Sequence, residues 1–267
     1  LNADGNTNIK RFLYTCESTP FFQFMKLTPR SYYIRNFEIK NLWKGVEPDQ
    51  NTIEYITSLK SDKYVQPETK VDFDFDYILF AMNSSVTDLK YWIKTFIWAK
   101  ENKKHIVFKW HPCPYPNTSD YLSKDKDYDI FHSRMVDNNI FPNEYVHIVN
   151  DVDLQHLIDN SYAVWSTHSG AIISAILKRK KVAYFILKNG VDYYEIAPLC
   201  KTPKQAYDSM YAVDDDTFYK FFTWYYKYVV VDVLSPNFEE MLNHRLDLYF
   251  NKKVDNISFL LPEKYHI

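Results

Sequence analysis

Two short polar segments follow apolar, β-branched runs and carry side chains that could bind an anion. The first, 109–112 (KWHP), supplies an ammonium group and an imidazole, and the second, 166–170 (STHSG), supplies hydroxyl groups and a glycine. The second segment also opens a run with helical spacing. Because a helix N-terminus presents unpaired N–H groups and a partial positive charge, it holds anions readily. The pair of segments therefore predicts a phosphate-binding site.

The predicted contacts are a cation and several hydrogen-bond donors around one phosphate. Lys109 would supply the charge and His111 an imidazole donor. Ser169 would add a hydroxyl group, and Gly170 lets a bulky anion approach the backbone. The other polar candidates in the turns after the strands are Ser84, Ser85, Ser166, Thr167 and His168.

This hypothesis makes two demands on the structure. Both segments must lie at one edge of one sheet, and the Ser169 N–H must be free of its own chain. The alternative is a simple helix cap, in which the hydroxyl groups of 166–170 satisfy backbone N–H groups of the same chain.

Alternating strands and helices must position these segments. The apolar runs that predict buried strands are 77–82, 105–110, 145–149, 162–166 and 182–186. The segments with helical spacing are 86–102, 151–160, 169–180, 203–213, 215–229 and 236–250. This order predicts an α/β fold, a Rossmann-like parallel sheet with helices on both faces. In such a sheet, ligands bind beyond the carboxyl ends of the strands, where the loops 83–85, 109–112 and 166–170 lie.

The length of 267 residues and the hydrophobic fraction of 46% allow one large domain or two small ones. We expect a reduced N-terminal region over 1–70 and a Rossmann-like domain with C-terminal helices over 71–267. The N-terminal region is shorter than the roughly 100 residues that a second domain of this type needs.

Composition argues against several classes of function. The formal net charge of −2 gives no basic field for nucleic acid or an anionic membrane, and no apolar run is long enough to cross a bilayer. We therefore predict no nucleic-acid partner and at most peripheral membrane association. Cys16, Cys113 and Cys200 are widely spaced and odd in number, which predicts reduced thiols in a cytoplasmic protein. Metal-ligand spacing such as C-x-x-C is absent, so we predict no metal and no cofactor.

Three other patterns have structural explanations. His105 and His147 lie inside apolar strands and are expected to be packed or edge residues. The aspartates of 72–76 alternate with apolar residues, as in a solvated strand edge. The aromatic block 221–228 (FFTWYYKY) is expected to form core and groove wall and not a platform for stacking bases.

The two polar motifs resemble the C-terminal half of the capsule-polysaccharide biosynthesis glycosyltransferases, the bacterial Kdo-transferase group. In that family a K-x-H-P or H-P motif follows one strand, and a Ser-rich turn leads into a helix reading approximately S-G-x-G-x-E-A-L-x-x-G-K-P-V. The matching residues in this chain are Ser169, Gly170, Ala175, Lys180 and Val182. The resemblance covers residues 50–230 and implies a GT-B architecture, in which two Rossmann-like domains face each other across a cleft.

The resemblance also implies an activity. It is the metal-independent transfer of a sugar from a CMP- or UDP-linked donor to a hydroxyl group of a glycan or lipid-linked acceptor. His111, Ser169 and Gly170 would hold the donor phosphate, with help from Lys109. His111 would also stabilise the charge that the phosphate gains as the sugar departs.

The resemblance implies two further site residues. Asp4, in the acidic-Gly segment NADGN, would be the catalytic base, and Ser174 stands where the family has a glutamate that contacts the nucleotide. The missing glutamate leaves the choice between CMP and UDP open. Together with the short N-terminal region, it also keeps open a non-catalytic module that binds a nucleotide or sugar phosphate. A further alternative is an epimerase-like enzyme for UDP-sugars, which would require additional acidic residues in the cleft.

Overall fold

The chain divides into two compact units. The computed structural model describes residues 21–23, 43–51, 54, 69–82, 89–110, 132–133, 135–137, 139–141, 143–150, 152–167, 169, 171–185, 196–225, 230–232, 239–240 and 243. One unit is formed by Leu1–Tyr64 together with Asp214–Ile267, and the other by Val65–Val213. The predicted boundary at 70/71 lies near the first of these limits. The predicted division into 1–70 and 71–267, with the C-terminal helices in the sheet domain, stays a prediction.

The secondary structure alternates as the sequence pattern predicts. The strands are β1 (Phe21–Gln23), β2 (Tyr77–Ala81), β3 (His105–Lys109), β4 (Val146–Val149), β5 (Ala163–Ser166), β6 (Lys181–Phe185), β7 (Leu199–Cys200) and β8 (Val230–Asp232). The helices are α1 (Leu89–Asn102), α2 (Leu154–Asn160), α3 (Ala171–Leu177), α4 (Pro203–Ser209) and α5 (Asp215–Trp224). Among the described residues, none of these helices has the length and apolar character needed to cross a membrane.

Strands β2 to β7 form a six-stranded sheet with the order β4-β3-β2-β5-β6-β7. Every pairing between neighbours in this sheet is parallel. This confirms the predicted α/β fold with a Rossmann-like parallel sheet. The sequence pattern does not predict β7, because a strand of 2 residues is too short to show an alternation.

Helices cover both faces of the sheet. On one face, the rings of Phe80 and Phe108 have centroids 5.6 Å apart, and Trp92 of α1 packs against Phe108 at 5.4 Å. Successive strand side chains point to opposite faces, so Tyr77 lies on the other face. There its hydroxyl group donates to the carbonyl oxygen of Leu157 in α2 at 2.8 Å. All of β2 is buried, as expected for a strand that is covered on both sides.

Side-chain caps explain where two helices of this unit begin. Asp153 accepts hydrogen bonds from the N–H groups of Gln155 and His156 at the start of α2, at 2.7 and 3.3 Å. Thr202 accepts from the Gln205 N–H at the start of α4. Because the first N–H groups of a helix have no partner within the helix, such caps stabilise its first turn.

The described part of the other unit contains the aromatic block. Asp214 caps α5 by accepting from the Thr217 N–H at 2.9 Å, and this hydrogen bond lowers the pKa of the Asp214 carboxyl group. Phe221 and Trp224 are fully buried. Over its described residues, the block therefore forms core, as predicted. In the same unit β1 and β8 pair as antiparallel strands.

The segment before β2 packs through its aromatic side chains. The aspartates of 72–76 are exposed, as the alternation predicts, but the segment forms no strand. Phe75 stacks on His105 with ring centroids 3.9 Å apart and on His147 at 4.7 Å. The two imidazoles are also in hydrogen-bonding contact, with His105 Nδ1 3.1 Å from His147 Nε2. Both histidines are packed residues, as expected.

Candidate functional site

The carboxyl ends of three neighbouring strands bring the described residues of both polar segments to one edge of the sheet. Ala81, at the end of β2, is in register with Lys109 on one side and with Ser166 on the other. Since hydrogen-bonded strands lie about 4.8 Å apart, the backbones of Lys109 and Ser166 are about 10 Å apart across β2. The first demand of the phosphate hypothesis, a shared sheet edge, is met for these residues.

The strand order reverses at this edge. The chain proceeds from β2 to β3 and β4 on one side, and then returns to the other side for β5, β6 and β7. The helices that follow β2 and β5 consequently leave the sheet on opposite faces, which opens a crevice between the ends of these two strands. Ligands of open parallel sheets bind in such a crevice.

Lys109 directs its ammonium group toward the backbone of the strand ends. Its side chain is almost completely buried, with the residue only 7% exposed. Nζ donates to the carbonyl oxygen of Trp110 at 3.1 Å and to that of Asn150 at 2.6 Å. A buried ammonium group is costly unless hydrogen bonds replace its hydration, and these carbonyls do so. The sequence motif does not reveal this contact, because Asn150 takes part through its backbone.

The turn after β5 is held by its own hydroxyl groups. Ser166 Oγ donates to the carbonyl oxygen of Ala81 at 2.8 Å and accepts from the Ser169 N–H at 3.1 Å. Ser169 Oγ in turn accepts from the Ala171 N–H, at 3.2 Å, as α3 begins. The second demand of the phosphate hypothesis is therefore not met, because the Ser169 N–H has a partner in its own chain. These bonds are those of the alternative, a helix cap.

The remaining predicted site residues fall into two groups. Thr167 and Ser174 are buried, and Ser174 lies on the second turn of α3. The residues that lie outside the described part of the chain are Asp4, Ser84, Ser85, His111, His168 and Gly170. Their assignment to the site stays a prediction.

Titratable groups at this edge are few in the described residues. The strand ends 81–82, 109–110, 149–150 and 166–167 contain no Asp, Glu, Cys or His. Throughout the described part of the chain, no group of three or more His, Cys, Asp and Glu side chains could hold a metal ion. The thiol of Cys200 is free and buried, and burial raises its pKa. The predicted reaction without metal or cofactor stays a prediction.

Comparison with known proteins gives structural neighbours alone. No family model matches the chain, and no curated protein matches it. One similar structure is KpsC, a beta Kdo 2,4 transferase from Thermosulfurimonas dismutans, with a TM-score of 0.43, 11% identity, and coverage of 72% of this chain and 62% of that chain. A glycosyltransferase from Rickettsia africae has a TM-score of 0.39 at 13% identity, with coverage of 86% of this chain and 69% of that chain.

A third similar structure is the UDP-GlcNAc 2-epimerase from Methanocaldococcus jannaschii in complex with UDP-GlcNAc and UDP. Its TM-score is 0.34 at 14% identity, with coverage of 73% of this chain and 51% of that chain. The chain thus spans less than two thirds of KpsC and about half of the epimerase. Because all three TM-scores are below 0.5, the fold assignment rests on the strand order of the chain itself.

Proposed function

We propose that the chain binds a nucleotide-sugar donor at the carboxyl edge of β2, β3 and β5 and transfers the sugar to a hydroxyl group of a glycan or lipid-linked acceptor. The observation that carries the proposal is the reversal of strand order at β2, with Lys109 and Ser166 on either side of the crevice. The resemblance of 109–112 and 166–170 to the capsule-polysaccharide glycosyltransferases supports the donor class and a GT-B architecture.

The proposed reaction breaks the bond between the anomeric carbon and the donor phosphate oxygen. The acceptor oxygen forms the new bond to the anomeric carbon, and its proton passes to a carboxylate, for which Asp4 is the candidate. The departing phosphate gains negative charge. His111, Thr167, His168 and Gly170 would surround that charge, and the buried ammonium group of Lys109 would add a positive potential beneath it.

The local hydrogen bonds modify the predicted phosphate contacts. Because the Ser169 N–H is bound to Ser166 Oγ, the proposal does not use that N–H as a phosphate donor. The residues Ser84, Ser85, His111 and Gly170 would have to provide the direct contacts. Ser174 would face the nucleotide in place of the family glutamate.

A non-catalytic nucleotide-binding module is the second candidate. The internally satisfied Ser169 N–H and the serine at position 174 favour it, since both remove contacts that a transferase of this family would use. An epimerase-like enzyme needs acidic groups beside the phosphate, and the described strand ends supply none. Turnover therefore separates the two leading candidates.

The test combines binding and turnover. Calorimetry with CMP, UDP and their sugar conjugates should show binding to the wild-type protein, and a donor panel should reveal transfer or hydrolysis. We expect His111→Ala to lower kcat/KM by about 100-fold, as for the loss of one group that stabilises developing charge. The matched control is His132→Ala, because His132 lies exposed on a described helical turn.

Three results would count against the proposal in different ways. Unchanged turnover in His111→Ala would remove His111 from the reaction. Binding of a nucleotide without turnover of any donor would favour the binding module. Failure of the wild-type protein to bind any nucleotide would overturn both candidates.

A further inference from the structure

The ammonium group of Lys109 links the ends of two strands. Lys109 is the last residue of β3, and its Nζ reaches the carbonyl oxygen of Asn150, which follows β4. The Trp110 N–H donates to the carbonyl oxygen of Val149 at 2.9 Å, so the backbones of the two strands are joined one residue beyond β3. The lysine side chain extends this pairing past the point where the ladder ends.

The same ammonium group holds the peptide that leads into His111. Nζ donates to the carbonyl oxygen of Trp110, and this carbonyl belongs to the peptide bond between Trp110 and His111. The indole ring of Trp110 is fully buried and lies 6.4 Å from Trp92 and 6.3 Å from Phe108, between ring centroids. The residue before His111 is therefore held by its side chain on one side and by its carbonyl on the other.

We propose that Lys109 is a positioning residue, which acts on the nucleotide by fixing the ends of β3 and β4 at Trp110 and Asn150 and does not touch the phosphate itself. This inference rests on the proposed function, because it assumes that a nucleotide binds at this edge. A lysine ammonium group has three N–H donors, and two of them point to carbonyl oxygens of the backbone. Turning Nζ toward a phosphate at the expense of either bond would release one of the two strand ends that it links.

The test compares Lys109→Met, Lys109→Arg and the control Lys94→Met. Methionine keeps an unbranched apolar side chain but donates no hydrogen bond, whereas arginine offers several N–H donors and keeps the charge. Lys94 is exposed on α1, so its replacement removes one charge away from the strand ends. Each variant is measured by hydrogen–deuterium exchange over residues 105–110 and 146–150 and by calorimetric titration with CMP and UDP.

The expected result has two parts. Lys109→Met should speed amide exchange at Trp110 and at residues 149–150 and weaken nucleotide binding by about 10-fold or more, since a buried charge-assisted hydrogen bond is lost. Lys109→Arg should restore binding to within about 3-fold of wild type, because guanidinium N–H groups can also donate to both carbonyl oxygens. Lys94→Met should leave exchange and affinity unchanged.

The outcomes separate this inference from the proposed function. Weaker binding in Lys109→Met with unchanged exchange would mean direct contact with the phosphate and would overturn the inference alone. Faster exchange with unchanged affinity would leave Lys109 a purely structural residue, which also overturns it. If Lys109→Met does not fold, loss of binding in a folded Lys109→Arg protein would overturn it. If the wild-type protein binds no nucleotide, the proposed function fails, and the inference fails with it whatever the exchange data show.

Discussion

Ser166 is a single residue whose hydroxyl group connects the end of one strand with the turn after another. Its Oγ donates to the carbonyl oxygen of Ala81 and accepts from the Ser169 N–H. A strand end leaves backbone groups without ladder partners, and buried groups of this kind must find others. Ser166 therefore provides partners for backbone groups near the end of its strand. Lys109 does the same at the end of β3.

We expect Ser166→Ala to lower the free energy of unfolding by about 1–3 kcal/mol, because the Ala81 carbonyl and the Ser169 amide both lose a partner. Urea unfolding would measure the change. The control is Ser133→Ala, because Ser133 is exposed on a described helical turn. Its replacement should cost less than about 0.5 kcal/mol. Equal losses of unfolding free energy in the two variants would show that the hydrogen bonds of Ser166 do not stabilise the fold.

Gln155 is a buried polar residue that the candidate site does not use. It is 5% exposed, and neither Oε1 nor Nε2 has a hydrogen-bond partner among the described residues. Burying a carboxamide group without a partner is unfavourable. The side chain therefore reduces the stability of the region in which it packs.

Replacement by a similarly sized apolar side chain should remove this cost. We expect Gln155→Met to raise the free energy of unfolding by about 1 kcal/mol. Gln205→Met serves as a control because Gln205 is exposed and its Oε1 accepts from the Lys201 N–H, so no gain is expected there. A less stable Gln155→Met protein would show that the carboxamide group is favourably placed.

The polar residues at the strand ends connect neighbouring elements. Between β5 and α3, Ser166 Oγ accepts from the Ser169 N–H, and Ser169 Oγ accepts from the Ala171 N–H. On the other side of the sheet, β3 and β4 are joined beyond their ladder by Lys109. Side chains at the strand ends thus join β2 to the turn after β5 and β3 to the end of β4.

At the scale of the sheet unit, the histidine pair joins the segment before β2 to β3 and β4. His105 and His147 are 3.1 Å apart and stack on Phe75. Burial, and to a lesser extent the neighbouring His105, lowers the pKa of His147 from its usual 6.5. The folded protein therefore binds the His147 proton less readily than the unfolded chain.

Stability should consequently fall in acid. Because the His147 pKa is lower in the folded state, its contribution is present above the unfolded value of 6.5 and is lost as the pH falls through the folded value. We expect His147→Phe to lose less stability than wild type between about pH 7.5 and about pH 5, since phenylalanine can stack on Phe75 without titrating. Urea unfolding at each pH measures this, with His132→Gln as an exposed control. Parallel pH profiles of wild type and His147→Phe would contradict the assignment.

Local patterns in the sequence were sufficient for most of the fold. The alternation of apolar runs predicted β2 to β6 and the helices between them, because hydrophobic periodicity reflects which face of an element is buried. The same patterns placed KWHP and STHSG after strands of one parallel sheet. They missed β7, whose 2 residues are too few to show a periodic pattern.

Only the tertiary structure decided what the polar groups at the strand ends bind. Ser166 finds its acceptor 85 residues away at Ala81, and Lys109 finds one of its acceptors 41 residues away at Asn150. Both acceptors are backbone carbonyl oxygens, which every residue type carries, so no residue pattern marks them. The sequence could therefore indicate which side chains stand at the edge of the sheet. Their partners followed from the strand order, which brings distant carbonyl groups within hydrogen-bonding distance.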